Sequence, residues 1–242
     1  MKISICIPMY NESAICQDTL LTLVEEAENL KKRGYPCEIV FCDDGSHDRS
    51  GEILRRDIEE WGYTDVKVII CKKNLGKGAA VREAVLNTDG DVVVYTDCDL
   101  AYGTEPIIRA ARLIEEGSDA VLGSRNLEKG SYGEYTPIRR FASRTYIKVI
   151  SLAAGFKMSD SQCGFKAYKG DLARRIFSLC TVNGFAFDLE AIKIGQKMGL
   201  KFVEMPVKII NHRDSKINLV RDTVKMLSDI KVIKKKVKTL DL

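Results

Sequence analysis

The sequence predicts an α/β protein built on a mainly parallel sheet, and three observations carry that expectation. Short β-branched runs alternate with segments whose apolar residues recur at helical spacing, the pattern of right-handed βαβ crossovers. The runs are apolar on both faces, as strands covered by helices on either side must be. Clusters of acids, glycines and a lysine follow the runs, at the end of an open parallel sheet where ligands collect.

In chain order, Ile3 to Ile7 reads as the first strand and runs into Pro8, Tyr10, Asn11 and Glu12. Ala14 to Lys32 follows as a helix, with Leu20, Leu23, Val24, Ala27 and Leu30 at helical spacing. Glu38 to Cys42 is the second strand, ending at Asp43-Asp44-Gly45-Ser46, and Ser50 to Trp61 the second helix. Val66 to Cys71 is the third strand, followed by Asn74-Leu75-Gly76-Lys77-Gly78 and a helix from Lys77 to Asn87. Asp91 to Thr96 runs into Asp97-Cys98-Asp99, and a helix over Glu105 to Glu116 leads to a strand at Ala120 to Leu122. Beyond it the pattern loosens into a basic amphipathic helix (Arg139 to Ala154), a strand (Gly164 to Tyr168), a helix (Gly184 to Met198) and a strand (Lys201 to Ile210). A last helix runs from about Asn218 to Lys238. No linker or repeat interrupts the chain, so 1–216 is expected to form one domain, with 217–242 a basic amphipathic helix that joins it or lies on a membrane surface.

A chain of 242 residues, 45% hydrophobic and 30% charged with five prolines, can bury a large core and is unlike a disordered or fibrous sequence. Its eight cysteines lie mostly in or beside apolar runs without a CxxC pair, and MKISICIPMYNE lacks the layout of a secretory signal. Reduced, buried thiols in a cytoplasmic protein are expected. The longest apolar stretches, such as Val149 to Phe156, fall far short of the ~20 residues that span a bilayer. The formal charge of +4 is unevenly spread: Ile138 to Lys157 holds five bases and no acid, and Lys208 to Leu242 ten bases and four acids. Those segments together carry +11, which leaves −7 for the rest of the chain. An anionic partner touching the two segments is expected.

Two carboxylates at i and i+2 after a strand can converge on one hard cation, which keeps phosphates and waters in its shell. A lone Asp-x-Asp also reads as a solvated turn. The apolar run DVVVYT before Asp97 and Asp99, with three other polar strand ends, favours Mg²⁺ or Mn²⁺. Asp43 and Asp44 admit two readings as well: turn formers beside a helix cap at Ser46 or Asp48, or carboxylates that accept from a nucleobase or ribose, Asp43 above all. Asn74 to Arg82 reads as a phosphate-binding turn charged by Lys77, or as a helix start with incidental glycines; the GxxxxGK[ST] of a Walker A motif is absent.

SICIPMYNE, VFCDDGSHDRS, NLGKGAAVRE, VVVYTDCDL, LGSR, DSQCGFKAYK, FAFDLE and HRDSKI follow one another over about residues 3 to 216. Together they resemble inverting family 2 glycosyltransferases of the GT-A fold, a Rossmann-like, mainly parallel sheet flanked by helices. More narrowly, they resemble the polyprenyl-phosphate glycosyltransferases, the dolichyl-phosphate β-glucosyltransferases above all. The resemblance implies that Pro8, Tyr10, Glu12 and Asp43 hold the nucleoside and that Asp97 and Asp99 hold ribose, diphosphate and metal; the strand-end motifs themselves add Asp44 and Lys77 as substrate-binding candidates. It implies that Arg125 and Arg139 or Arg140 face an acceptor phosphate, and that Arg213, Ser215 and Lys216 come from a loop closing over the phosphates. In related mannosyltransferases a glutamine two residues past the second metal acid can also ligate the ion. Here Ala101 stands there, which with GKGAAVR and DSQCGFK points to a UDP-glucose enzyme rather than a GDP-sugar one. Lys166 adds to the cations of the second half. Asp160 and Asp188 keep three readings: orienting cations, binding sugar hydroxyls, or acting as base towards an alcohol.

The expected reaction moves a sugar, glucose first, from a UDP-sugar to polyprenyl or dolichyl phosphate. A lipid monophosphate, with a second pKa of about 6, is largely ionised at neutral pH and attacks C1 without a base. The protein then has to align two anions and screen their repulsion. Such an acceptor implies an anionic membrane surface, reached from the cytosolic face by the basic helices, and is compatible with a partner membrane protein or a homo-oligomer. Nucleic acid is not expected as a partner, given the strand-end acids and the lack of aromatic stacking motifs. The alternatives are a family 2 transferase acting on a saccharide hydroxyl, with Asp160 or Asp188 as base, and a non-catalytic peripheral protein that binds a nucleotide sugar.

Overall fold

The computed structural model describes residues 1–133, 135–211 and 219–241, with side chains at all of these except 138, 139, 142 and 219–224. The regular half alternates as expected: β1 (Ile3–Met9), α1 (Cys16–Lys32), β2 (Cys37–Asp43), α2 (Ser50–Trp61), β3 (Val66–Ile70), α3 (Lys77–Leu86), β4 (Val92–Tyr95), α4 (Glu105–Glu115) and β5 (Ala120–Ser124). The second half adds α5 (Pro137–Ala154), β6 (Lys166–Lys169), α6 (Gly170–Leu179), α7 (Phe187–Lys197), β7 (Phe202–Pro206) and α8 (Leu219–Thr239). The seven strands form one sheet in the order β3-β2-β1-β4-β6-β5-β7. Every pairing is parallel except those of β6, which runs antiparallel to both β4 and β5.

Two features were not foreseen. The reversal at β6 follows from no local signal, because its four residues carry no pattern that sets direction. Helix α6 was not read as a helix: its buried stripe is Ala173, Ile176 and Phe177, and it begins at the residue after β6 with no loop to mark the boundary. Elsewhere the alternation of side chains fills two cores. Val92 and Val94 of β4 pack into one, with α1 and α4, and Val93 and Tyr95 into the other, with α3, α6, α7 and α8. Pro8 sits inside β1 opposite Cys42 of β2, but beyond Cys6, where the pairing of β1 with β4 stops. No ladder bond on that side needs its missing N–H.

Helix α8 is docked rather than loose over its described side chains. Met226, Ile230, Ile233 and Val237 are buried in the second core, each worth about 1.5–3 kcal/mol of apolar burial. Lys236 Nζ lies 2.6 Å from the buried Glu190 carboxylate, and Lys197 Nζ donates to the carbonyls of Val237 and Leu240 at the helix end, at 2.8 and 2.6 Å. All eight cysteines are free thiols, seven of them buried.

At the amino ends of the strands, away from the polar strand ends, Glu38 is a buried junction. It accepts from Ser4 Oγ at 2.6 Å, Asp89 N at 2.9 Å and Lys67 Nζ at 2.9 Å. Burial alone would raise its pKa, but the bonds from Ser4, the Asp89 backbone and Lys67 outweigh it and bring it from 4.5 down to about 2. A depressed carboxylate stabilises the fold above its unfolded pKa and loses that contribution as pH falls through the folded value. Urea unfolding at stepped pH should therefore show wild-type stability falling between about pH 4.5 and 2. The Glu38→Gln protein should start lower at pH 7 and fall less over that window; parallel acid limbs would refute the assignment.

Candidate active site

The carboxyl ends of β1, β2 and β4 open on one edge of the sheet, and the loops there are tied to one another before any ligand is considered. Asn11, in a left-handed conformation (φ 54°), donates its N–H to Ser46 Oγ at 2.8 Å, while its Oδ1 accepts from His47 N at 2.9 Å. Glu12 N donates to Ser50 Oγ at 2.9 Å and Ser13 N to Asp48 at 2.8 Å. Tyr10 is more than one-third exposed, with its ring edge-on to His47. Pro8, Tyr10 and Glu12 thus stand on a rim braced by the serines of the next loop.

Asp43 and Asp44 have internal work that the sequence did not disclose. Both are buried. Asp43 accepts from Ser46 N at 3.0 Å and Gly51 N at 3.0 Å, so it ties its own turn to the start of α2. A Cβ at position 51 would collide with that carboxylate, which is why glycine stands there. Asp44 accepts from Leu75 N at 2.9 Å and Gly76 N at 2.7 Å. The amides expected to cradle a phosphate are therefore already spent: Leu75 and Gly76 on Asp44, and Gly78 N on Asn183 O at 2.7 Å. The glycines serve packing. A Cβ at Gly76 (φ 110°) would meet Asn183 O at 2.5 Å, and one at Gly78 would meet Phe187 Cβ at 2.5 Å. What this loop delivers to the site is the side chain of Lys77, whose ammonium pairs with Asp97 Oδ1.

The acid pair follows β4 with Asp97 and Asp99 partly exposed on either side of buried Cys98. Burial pushes the Cys98 thiol up to about 12, so it stays neutral beneath the two acids. Thr19 of α1 donates to Cys98 O at 2.6 Å, and Asp99 Oδ1 accepts from Ala101 N at 3.1 Å, which fixes the turn. A Cβ on Gly164 would strike the Asp97 carboxylate, so the glycine of DSQCGFK lets the segment leading into β6 pack against the acid; its role was not read from sequence. No group of three or more His, Cys, Asp and Glu fit to hold a metal occurs among the described residues. The donor set still suits Mg²⁺ or Mn²⁺, because two hard carboxylates leave positions for phosphate oxygens and water, and Lys77 already stands at one of them as a cation.

The remaining acids are buried in ion pairs. Asp160 is inaccessible and holds Arg125 in a two-pronged pair, Nε to Oδ2 at 2.7 Å and Nη2 to Oδ1 at 3.0 Å. Asp188 accepts from Tyr95 OH and lies 3.0 Å from Lys166 Nζ, which is itself fully buried and donates to Cys163 O at 2.6 Å. Of the three readings kept for these acids, burial in ion pairs accords with the orienting one. Lys166, expected among the substrate-facing cations, has its ammonium enclosed within the protein between Asp188 and Cys163 O. Arg140, on α5, has a buried Nε with no hydrogen-bond partner among the described residues. Arg139 lies on the same helix with its side chain outside the description, and Arg213, Ser215 and Lys216 lie outside the described residues altogether.

A groove of about 480 Å³ flanks Asp99 on its α1 side, lined by Ile15, Thr19, Thr104 and Asn211 among others. The family model described as Glycosyl transferase family 2 matches residues 4–177. The chain is 27% identical over 242 residues to a dolichyl-phosphate beta-glucosyltransferase of Dictyostelium discoideum, across 94% of this chain and 72% of that one. It is 30% identical over 234 residues to an undecaprenyl-phosphate 4-deoxy-4-formamido-L-arabinose transferase of Edwardsiella ictaluri, across 93% of this chain and 68% of that one. Glucosyl-3-phosphoglycerate synthase from Mycobacterium tuberculosis, crystallised with Mn²⁺, uridine diphosphate and phosphoglyceric acid, shares the fold with a TM-score of 0.62 at 18% identity, across 99% of this chain and 80% of that one. The chain belongs to glycosyl transferase family 2 and is a glycosyltransferase of the GT-A fold.

Proposed function

We propose that this enzyme moves a sugar, glucose first, from a UDP-sugar to a polyprenyl or dolichyl phosphate, inverting C1 and releasing UDP. One observation carries the choice of acceptor. Asp160 and Asp188, the two acids considered as bases, are both buried and ion-paired, which suits an acceptor that brings its own negative charge. Relatives over nearly the whole chain are named for transfer involving dolichyl or undecaprenyl phosphate, which supports the same reading. In this mechanism Pro8, Tyr10 and Glu12 form the nucleoside rim, with Asp43 and Asp44 holding the loops in register. Asp97 and Asp99 would hold Mg²⁺ or Mn²⁺, which neutralises the leaving diphosphate when bound. Arg125, set by Asp160, and Arg140, whose Nε has no partner among the described residues, would receive the acceptor phosphate together with Arg139; Arg213, Ser215 and Lys216 would close on the diphosphate.

A lipid acceptor has to be met at a membrane surface. No helix among the described residues is long and apolar enough to cross a membrane. On α5, Phe141, Arg144, Thr145, Lys148, Val149 and Leu152 recur at i, i+3, i+4, i+7, i+8 and i+11, and all six are exposed. Leu152 is 79% and Phe141 73% exposed, while Ile147 and Ile150 of the same helix face the core. An apolar and basic stripe of this kind fits the interface of an anionic leaflet, with Lys231, Lys234 and Lys235 of α8 outside the packed face. The test is incubation of the purified protein with UDP-glucose, UDP-galactose or GDP-mannose, Mn²⁺ and a polyprenyl phosphate in anionic vesicles. UDP release with formation of a mild-acid-labile glycolipid is expected from UDP-glucose. Transfer to soluble sugars but not to the lipid would favour the hydroxyl-acceptor reading, and UDP-sugar binding without turnover would favour a non-catalytic one.

A further inference from the structure

The acid that would hold the divalent cation already has a cation on it. Lys77 is the first residue of α3, and its ammonium sits on Asp97 Oδ1 with about a quarter of the side chain exposed. This placement is built from several sides. Gly76 N is held by Asp44 and Gly78 N by Asn183 O, so the backbone on both sides of Lys77 is fixed. Arg82, further along α3, donates to Asn183 Oδ1 at 2.8 Å and braces the same segment. The Asp97 carboxylate is confined too, because Gly164 backs onto it so closely that a Cβ there would collide with it. The nearby Asp188 is already committed to Tyr95 and Lys166. Lys77 is therefore held on one oxygen of the carboxylate that this reading assigns to the metal.

We propose that Lys77 is a resident counter-ion for Asp97, which the divalent cation must displace, and that the diphosphate of the donor promotes the exchange by offering the released ammonium a new partner. The inference rests on the reading that Asp97 and Asp99 hold the metal, and goes beyond it in giving metal binding a defined competitor. Its physical basis is mutual exclusion. Two cations cannot share Oδ1 at contact distance without strong repulsion, so the free energy of the Lys77 pair is subtracted from metal binding until an anion takes the lysine over. Coupling of this sort is reciprocal: if the nucleotide tightens the metal, the metal tightens the nucleotide by the same factor.

The experiment measures Mn²⁺ binding by calorimetry and by the paramagnetic signal of free Mn²⁺, with and without UDP and with no sugar transfer. It uses the full chain as wild type, Lys77→Met, Lys73→Met and Asp97→Asn. Without UDP, Lys77→Met should bind Mn²⁺ about tenfold tighter than wild type, and the gain in Mn²⁺ affinity that UDP confers should shrink by a similar factor. Lys73→Met removes the same charge from an exposed position in the preceding loop and should change either quantity less than about twofold, separating occupancy of the oxygen from the general field. Lys77→Gln gives the same comparison should Lys77→Met not fold. Mn²⁺ affinity in the Lys77 variants equal to or weaker than wild type overturns the proposal. Undiminished Mn²⁺ binding by Asp97→Asn instead overturns the metal reading beneath it.

Discussion

Asp99→Ala is expected to lower sugar transfer at least about 10³-fold while leaving the protein folded. The asymmetry follows from where Asp99 stands. Its carboxylate is partly exposed, and the bond it accepts from Ala101 N steadies one turn, an interaction worth about 1 kcal/mol. The turn keeps other supports, since Thr19 holds Cys98 O and Asn211 Nδ2 donates to Leu100 O at 2.9 Å. The catalytic loss is of another order. Charge builds on the diphosphate as the sugar bond breaks, and a cation left with one protein carboxylate is neither held nor placed to meet it; a loss of 10³-fold corresponds to about 4 kcal/mol of transition-state stabilisation. Asp99→Asn keeps an oxygen for the Ala101 bond and should be as inactive but better folded. Initial rates over a Mn²⁺ titration, with a thermal melt on each variant, check both halves. Turnover within tenfold of wild type would remove Asp99 from the metal site.

The acid triplet was readable from sequence because it is local: a buried strand ends and two acids two residues apart follow. The parallel half of the fold was readable for the same reason, its periodicities being written in consecutive residues. What escaped depends on residues far apart in the chain. Asp44 was read as a turn former or a nucleotide ligand, and it also fastens Leu75 and Gly76, more than 30 residues on, a commitment that no spacing announces. The glycines of NLGKG looked like an anion cradle, but the 182–184 segment packs against them and takes the amide of Gly78. Lys166 reads as a surface cation in any local window, and only the folding of β6 between β4 and β5 buries it against Asp188. The apolar residues of α5 were seen, but which of them face inward was decided by packing: Ile147 and Ile150 enter the core while Phe141 and Leu152 stay outside.

Asp160→Ala is expected to destabilise the fold by about 3–5 kcal/mol, the range for removing one partner of a buried ion pair and leaving the other charge uncompensated. Arg125 is only 13% exposed at its side chain and Asp160 is fully buried, so solvent cannot replace the lost partner. The surroundings add to the cost. Asp160 also accepts from Gln162 N at 3.2 Å, and its neighbour Ser159 donates to Glu204 through N and Oγ at 2.7 and 2.6 Å, which fastens this loop to β7. Replacing both partners, Arg125→Met with Asp160→Leu, should cost less than the two single changes added together, because no stranded charge remains. Asp160→Asn separates structure from chemistry. It keeps the acceptor oxygen for the loop amide but weakens the grip on Arg125, so it should raise KM for the lipid phosphate more than it lowers kcat. The acid limb of the rate profile should persist near pH 6 in that variant, because that limb belongs to the second ionisation of the acceptor phosphate and not to an enzyme base. If kcat collapsed and the limb vanished with it, the proton-accepting role would return to Asp160, and the acceptor would be an alcohol.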